Sequence, residues 1–238
     1  MTALLFRADS YARGCRAHVA AATPEGGIIL DQTVFYPTSG GQPGDRGWLA
    51  WEGGRCAIAN TIHDAEKRVI HVPAAGENTP PPGSEVRATL DWDNRFINMR
   101  CHTLMHLLCA SVPFPVTGSA ITADGGRIDF DIPEGRIPDR QALTERLNSL
   151  ITADHPVTTR WITDAEMDAN PELVRTMFVK PPRGAGKVRL VAIGRDGEID
   201  LQPCGGTHLS STAAIGPVTV TKIENKGKIN RRIRVSFV

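Results

Sequence analysis

The chain has 238 residues, enough for one large domain or two small ones, and its 41% hydrophobic and 22% charged residues are ordinary for a globular protein. Its 27 Lys and Arg residues nearly balance its 26 Asp and Glu residues, so only local clustering of charge can indicate a nucleic-acid partner. We predict no membrane association and a cytoplasmic location. No apolar run approaches the roughly 18 residues of a membrane span, residues 1–9 lack a secretory-signal pattern, and the five scattered cysteines argue against a disulfide framework.

Short β-like runs alternate with turns in the first part of the chain. The predicted strands lie at residues 17–22, 27–35, 47–51, 55–62, 68–72 and 85–90. Glycine-rich and proline-containing segments separate them, as at residues 24–27 and 39–41. Strands at this spacing predict a small β-barrel domain, which we place at residues 1–90.

The pattern changes at Asp91, where Asp91-Trp92-Asp93 offers a helix start. Apolar residues then recur at helical spacing, which predicts a long helix over 93–111, a second helix over 138–153 and a short one over 164–170. Further strands are predicted at 127–132, 157–162, 187–193, 217–224 and 231–238. Because helices and strands do not alternate strictly, we predict an α+β domain over residues 91–238.

Two short motifs carry metal-binding chemistry. His102 and His106 are four residues apart, so both imidazoles lie on one face of the long helix. In Cys204-Gly-Gly-Thr-His208 a turn brings a thiolate and an imidazole together. Nitrogen and sulfur ligands suit zinc, although each motif alone is more often structural. A zinc-protease helix is not indicated, since Thr103 stands where that motif needs glutamate.

Together these motifs resemble the editing domain of alanyl-tRNA synthetase. Residues 102–106 and 204–208 resemble its zinc signature, residues 35–47 resemble the glycine-rich segment of the barrel that precedes it, and residues 118–119 and 127–130 resemble the segment after its metal helix. The chain has no room for an aminoacylation domain. It therefore looks like a free-standing, medium-length alanyl-tRNA editing protein of the AlaX type, for which we expect no need of ATP.

The resemblance implies a translation-factor-like barrel followed by an α+β domain shared with threonyl-tRNA synthetase. It also implies hydrolysis of Ser-tRNA(Ala), and possibly of Gly-tRNA(Ala), with one Zn²⁺ held by His102, His106, Cys204 and His208. A zinc-bound water held by His102, His106 and Cys204 would attack the ester. Four protein ligands describe a closed site, however, so either His208 is displaced or zinc mainly orients substrate and water.

Selectivity for the amino acid has weaker candidates. Hydroxyls could come from four residues, and two glycines could let the barrel backbone approach the site: Thr103, Thr38, Ser39 and Ser119, with Gly40 and Gly41. Ordinary turn and helix chemistry is the alternative for each. Met105 and Val116 replace polar residues common in the family, which leaves the choice between serine, glycine and another amino acid open.

Basic residues cluster in two segments, which we predict to contact the acceptor end of mischarged tRNA(Ala). They are Lys180, Arg183 and Lys187 in one segment and Lys226, Lys228, Arg231 and Arg232 in the other. A solvated strand face is the alternative. The four tryptophans are predicted to be core or rim side chains and not base-stacking platforms. Asp129, Asp131 and Asp154 are candidate partners of the ligand histidines, with a structural role as the alternative. A non-catalytic zinc-stabilised RNA-binding module and a deacylase of another mischarged tRNA stay open as alternative functions.

Overall fold

A computed structural model describes residues 2–174 and 186–238. The predicted fold class is confirmed: a closed antiparallel barrel is followed by an α+β region. The chain divides into two compact units, residues 1–98 and 99–238. The division into a barrel domain over 1–90 and an editing domain over 91–238 stays a prediction. No helix in the described part of the chain is long and apolar enough to cross a membrane.

The first unit is built around the barrel. Its strands are β1 (Ala3–Leu4), β2 (Gly14–Ala22), β3 (Ile28–Leu30), β4 (Gln32–Thr33), β5 (Gly47–Trp51), β6 (Gly54–His63), β7 (Val69–Pro73) and β8 (Glu85–Leu90). The barrel closes in the order β2-β3-β7-β6-β5-β8. Strand β8 alternates exposed and buried residues, as expected for a strand with one face in the core.

A buried ion pair fixes the glycine-rich loop, residues 36–47, to the barrel. The side chains of Asp45 and Arg95 are fully buried and form this barrel ion pair. Arg95 also donates to the carbonyl oxygens of Ser10 at 2.8 Å and Val34 at 2.6 Å, and Asp45 accepts from the Tyr36 amide at 2.6 Å. Buried charges are tolerated when paired and hydrogen-bonded in this way, so the pair is a structural feature of the barrel.

The second unit contains two sheets. Its elements, with the helix that leads into it, are α1 (Trp92–Ser111), β9 (Val116–Thr122), β10 (Gly125–Asp131), α2 (Arg140–Thr152), β11 (Val157–Thr163), α3 (Asp164–Ala169), β12 (Lys187–Ile193), β13 (Asp200–Pro203), β14 (Val218–Asn225) and β15 (Asn230–Phe237). The sheets have strand orders β14-β15-β10-β9 and β11-β12-β13. The Asn148 side chain of α2 exchanges two hydrogen bonds with the Val218 backbone, which docks α2 on β14.

The helices begin where side chains cap them. Asp91 accepts a hydrogen bond from the Asn94 amide at 3.2 Å, as the predicted helix start requires. Asp139 caps α2 by accepting from the Ala142 amide at 2.8 Å, and Thr163 with Glu166 forms a capping box at α3. Each of these three helices therefore has a defined start, including α1, which carries two of the predicted metal ligands.

Several predicted bounds differ from the structure. The predicted strand over 27–35 is two short strands, β3 and β4, and Asp31 between them bonds the His18 amide through its side chain. Strands β9 and β13 are absent from the sequence prediction. Strand β13 is only four residues long, too short for a periodic signal.

Candidate metal centre

The two metal motifs, far apart in the chain, converge in the second unit. Helix α1 presents His102 and His106 one turn apart, and Cys204 follows the end of strand β13. The donor atoms of these three residues and His208 all lie within 4.8 Å of one another. The Cys204 Sγ atom is 3.6 Å from His102 Nε2 and 3.3 Å from His208 Nε2. We call these four residues the metal cluster.

The backbone around Cys204 is held by a buried arginine. Arg189 Nη1 donates to the carbonyl oxygens of Cys204 at 2.8 Å and Gly206 at 2.9 Å. The Cys204 amide in turn donates to the Arg189 carbonyl at 3.1 Å. These bonds set the turn that carries the thiol toward the imidazoles.

A carboxylate orients His106 from behind. His106 Nδ1 lies 2.8 Å from Asp200 Oδ2, and the Gln202 amide donates to the same oxygen at 2.8 Å. With Nδ1 donating to the carboxylate, the Nε2 lone pair faces the metal cluster. Burial opposes a charge on His106, but the hydrogen bonds that His106 makes to Asp200 and Cys204 prevail and raise its pKa.

Thr103 orients a second histidine of the metal cluster, His208. Thr103 Oγ1 is 3.2 Å from His208 Nδ1 and accepts from the Leu209 amide at 3.1 Å. When Nε2 of His208 is a metal ligand, its Nδ1–H donates to Thr103. Thr103 is fully buried, so its hydroxyl is engaged with the protein, and the selectivity role suggested for it would act through His208.

The electrostatics favour the ligand forms of Cys204 and His208, whereas His106 takes its ligand form when a metal ion displaces its proton. Burial alone would raise the pKa of the Cys204 thiol, but the neighbouring His102 and His208 charges outweigh it and hold that pKa well below its usual value. Burial and the charge of His102 lower the pKa of His208. A thiolate and neutral imidazoles are the states that bind metal ions, so the donor set fits a metal ion held by nitrogen and sulfur.

The candidate selectivity residues lie in three places. Thr38 donates to the Thr61 carbonyl and accepts from the Gly44 amide, while Ser39 and Gln42 close a backbone turn. That turn contains Gly40 and Gly41, at φ 56° and 84°, where glycine is favoured. It belongs to the first unit. Ser119 lies half-buried in β9, opposite Ile128. Met105 and Val116, the two departures from the family pattern, are both buried.

The basic residues differ in whether their side chains are exposed, buried or already paired. Lys226 and Lys228 are exposed in the turn between β14 and β15, and Lys187 is exposed at the start of β12. Arg231 is buried and donates to carbonyl oxygens of that same turn, so it orders the turn and is not presented to a phosphate. Arg232 is paired with Asp129 through two bonds of 2.7 Å. Lys180 and Arg183 lie outside the described residues.

The predicted acidic partners of the histidines were wrong. Asp129 binds arginine side chains, Asp131 accepts from Asn230, and Asp154 accepts from Ser211. Asp200 and Gln202, which do contact His106, were missed. A usable signal was present, because residues 200, 202 and 204 alternate and so share one face of an extended segment.

Two family models match the chain. Residues 11–94 match the model described as tRNA synthetases class II (A), and residues 188–234 match the threonyl and alanyl tRNA synthetase second additional domain. The second match includes Cys204, His208, Asp200 and Gln202. The metal cluster and its supporting strand thus lie partly in a domain named for two synthetases.

Curated relatives are of two kinds. The alanyl-tRNA editing protein AlaX-M of Methanosarcina acetivorans is 33% identical over 252 residues, covering 98% of each chain. AlaX-M of Methanosarcina barkeri is 32% identical over the whole of both chains. The alanine–tRNA ligase of Pyrobaculum neutrophilum is 36% identical over 230 residues, which is 92% of this chain and 25% of the ligase. The chain thus spans about a quarter of such a ligase and nearly the full length of these two AlaX-M proteins.

Proposed function

Because the chain belongs to the alanyl-tRNA editing proteins of the AlaX-M type, we propose that it hydrolyses the ester between a wrong amino acid and the 3′-terminal ribose of tRNA(Ala). It acts in trans, on tRNA that a synthetase has already charged. Ser-tRNA(Ala) is the proposed main substrate and Gly-tRNA(Ala) the second.

The need for such an enzyme follows from the size of the amino acids. A pocket built for alanine cannot exclude glycine, which is smaller, and it rejects serine poorly because one hydroxyl adds little bulk. Discrimination by a hydrophobic pocket reaches only about 10- to 200-fold per small group, so a second, hydrolytic site is required. That site spares alanine if it hydrogen-bonds the serine hydroxyl, because alanine would leave the partners of that hydroxyl unpaired.

The metal cluster is the observation that carries the proposal. Its thiolate and three imidazoles suit Zn²⁺, and the contacts of Asp200 and Thr103 with ring Nδ1 atoms leave Nε2 atoms directed at one point. Zn²⁺ bound there would supply a Lewis acid that polarises the ester carbonyl and lowers the pKa of water. We assign the ligand role to His102, His106, Cys204 and His208.

The chain's own residues prepare this chemistry. Asp200 holds His106 in one tautomer, and Arg189 holds the turn that presents the Cys204 thiolate. Three of the four ligand residues are buried, which already restricts the orientation of their side chains. These side chains therefore lose little orientational freedom when the substrate binds. Lys187, Lys226 and Lys228, which are exposed, would hold phosphates of the acceptor end, a salt-dependent contribution to binding.

The test is deacylation of a panel of tRNA(Ala) charged with serine, glycine or alanine. We expect release of serine, slower release of glycine and retention of alanine. Loss of a supporting residue at a metal site costs about 10- to 100-fold, so removal of a direct ligand by Cys204→Ala should cost at least as much. The matched control is Cys15→Ala in the barrel unit, which should keep the wild-type rate.

Two outcomes would contradict the proposal. A Cys204→Ala protein that keeps its zinc and clears Ser-tRNA(Ala) at the wild-type rate would remove the metal cluster from the reaction. A wild-type protein that binds the tRNAs and releases no amino acid from any of them would identify a non-catalytic RNA-binding module instead.

A further inference from the structure

Trp161 is an exposed aromatic side chain on an edge strand of the sheet that supports the metal cluster. It lies in β11, the edge of the β11-β12-β13 sheet, and is 46% exposed. It pairs directly with Arg189 of β12, and the Arg189 carbonyl accepts from the amide of Cys204. Trp161, Arg189 and Cys204 therefore form a row across three adjacent chain segments.

The register places Trp161 on the same face of this sheet as the metal cluster. Residues opposite each other in antiparallel strands point to the same side. Val191 pairs with both Gln202 and Thr159, and Arg189 pairs with Trp161, so alternate residues of the three strands share the face that carries Gln202 and Asp200. Ile162, the next residue of β11, points to the opposite face and packs against the buried cluster of Met167, Val188 and Leu190.

The strand spacing sets how far Trp161 lies from the metal cluster. Adjacent strands are about 4.8 Å apart, so Trp161 lies roughly 10 Å from Cys204 across the sheet. Lys187 pairs with Thr163, which makes it the diagonal neighbour of Trp161 at about 7–8 Å. An aromatic side chain and a cation thus stand side by side, two strand spacings from the segment that carries the thiol of the metal cluster.

We propose that Trp161 is the stacking platform for the terminal nucleobase of the tRNA 3′ end, with the Lys187 ammonium against a phosphate of that end. The inference rests on the proposed function, because it is the charged 3′ end that brings a base to this face. Every base presents a π-face to an indole, and the anionic backbone complements Lys187. Trp161, 46% exposed at a sheet edge, is a rim side chain as predicted from the sequence, and the proposal gives this rim side chain a base-stacking role.

The experiment measures binding of a short, uncharged RNA ending in CCA to the zinc-loaded full chain. Base–aromatic stacking contributes about 1–3 kcal/mol, so Trp161→Ala should raise the dissociation constant about 5- to 150-fold, while Trp161→Phe keeps most of the affinity. The matched control is Thr158→Ala, in the same strand on the opposite face, which should bind like the wild type. An RNA whose terminal base is replaced by hydrogen should bind wild type and Trp161→Ala equally.

The proposal is overturned if Trp161→Ala binds the RNA like the wild type, or if it loses the same factor toward the RNA without a terminal base. Recovery by Trp161→Phe excludes misfolding as the cause of a loss. Hydrolysis of Ser-tRNA(Ala) by the wild type reports the proposed function separately. If the wild type hydrolyses Ser-tRNA(Ala) but RNA binding does not depend on Trp161, only the stacking proposal is excluded. If binding depends on Trp161 and the terminal base but no hydrolysis occurs, only the enzymatic function is excluded.

Discussion

Two buried polar clusters, one in each unit, meet the cost of desolvation in different ways. In the barrel ion pair, Arg95 and Asp45 have opposite charges, and the backbone carbonyls of Ser10 and Val34 accept two further guanidinium protons. In the metal cluster, four donor atoms crowd within 4.8 Å of one another and each offers a lone pair. The first group of side chains is complementary within the chain, and the second becomes complementary only around a cation.

This difference distinguishes a structural site from a functional one better than burial does. Both residues of the barrel ion pair and three of the four residues of the metal cluster are buried, and both clusters contain side chains that are rarely buried without partners. What separates them is whether the partners belong to the same chain. Variants that perturb one cluster at a time therefore test whether the two clusters differ in this way.

The largest expected effect is on stability, at the barrel ion pair. Arg95→Met leaves the Asp45 carboxylate buried without its cation, and such a loss destabilises a protein by about 3–5 kcal/mol. Urea unfolding should show this decrease in the free energy of unfolding. The zinc content of the folded protein should stay at the wild-type level, because the bonds of Arg95 go to Asp45, Ser10 and Val34.

An exposed ion pair provides the control. Arg16 lies 3.7 Å from Glu85 with both side chains exposed, so Arg16→Ala should change the free energy of unfolding by no more than about 1 kcal/mol. The comparison between the two clusters would fail if Arg95→Met were as mild as Arg16→Ala, or if it removed zinc from the folded protein.

The next effect is on metal affinity. Asp200→Asn keeps a hydrogen-bonding side chain next to His106 but removes its negative charge, and loss of such a partner weakens metal binding about 10- to 100-fold. Competition with a chromophoric zinc chelator measures this change. Asp129→Asn is the matched control, because Asp129 pairs with arginines, and its zinc affinity should equal that of the wild type. Equal zinc affinity of the Asp200 and Asp129 variants would contradict the role given to Asp200.

The smallest effect is on tRNA binding. Replacing Lys226 and Lys228 together by glutamine should weaken binding evenly across sequences and reduce the slope of log affinity against log salt by about 1 per lysine. Filter binding at several salt concentrations measures the slope. Lys222→Gln is the control, since Lys222 is already paired with Glu224 at 2.8 Å. An unchanged slope in the double variant would exclude this turn from the contact surface.

Much of the fold was predictable because its patterns are local. Strands β5, β8 and β12 have the predicted bounds, and helix α1 begins one residue before the predicted start. Strand β9 was missed because Gly118 and Ser119 interrupt its apolar pattern, although pairing with β10 stabilises it. Both missed strands pair with the preceding or following strand of the chain, β9 with β10 and β13 with β12, so it was the weak or short pattern of each strand that concealed it.

The residues of the metal cluster were also predictable from local patterns, whereas the residues that orient them were not. The spacings of His102 with His106 and of Cys204 with His208 are short-range signals. The choice of Asp200 over Asp129 as the partner of His106 depends on β13 lying beside helix α1, which is a tertiary fact. Likewise, the burial of Arg231 depends on the conformation of its turn, so charge counting alone could not separate it from Lys226 and Lys228.

Strand β13 has a further consequence for how this protein can tolerate change. Asp200, Gln202 and Cys204 reach the metal side because a single residue separates each of them from the next, so all three lie on one face of the extended segment. Leu201, on the other face, could exchange for another apolar residue with little effect on the metal. Deleting it would turn Asp200 away from the thiol side while leaving every residue of the metal cluster in the chain. Selection on this segment should therefore act against insertions and deletions more strongly than against substitutions between the alternating positions.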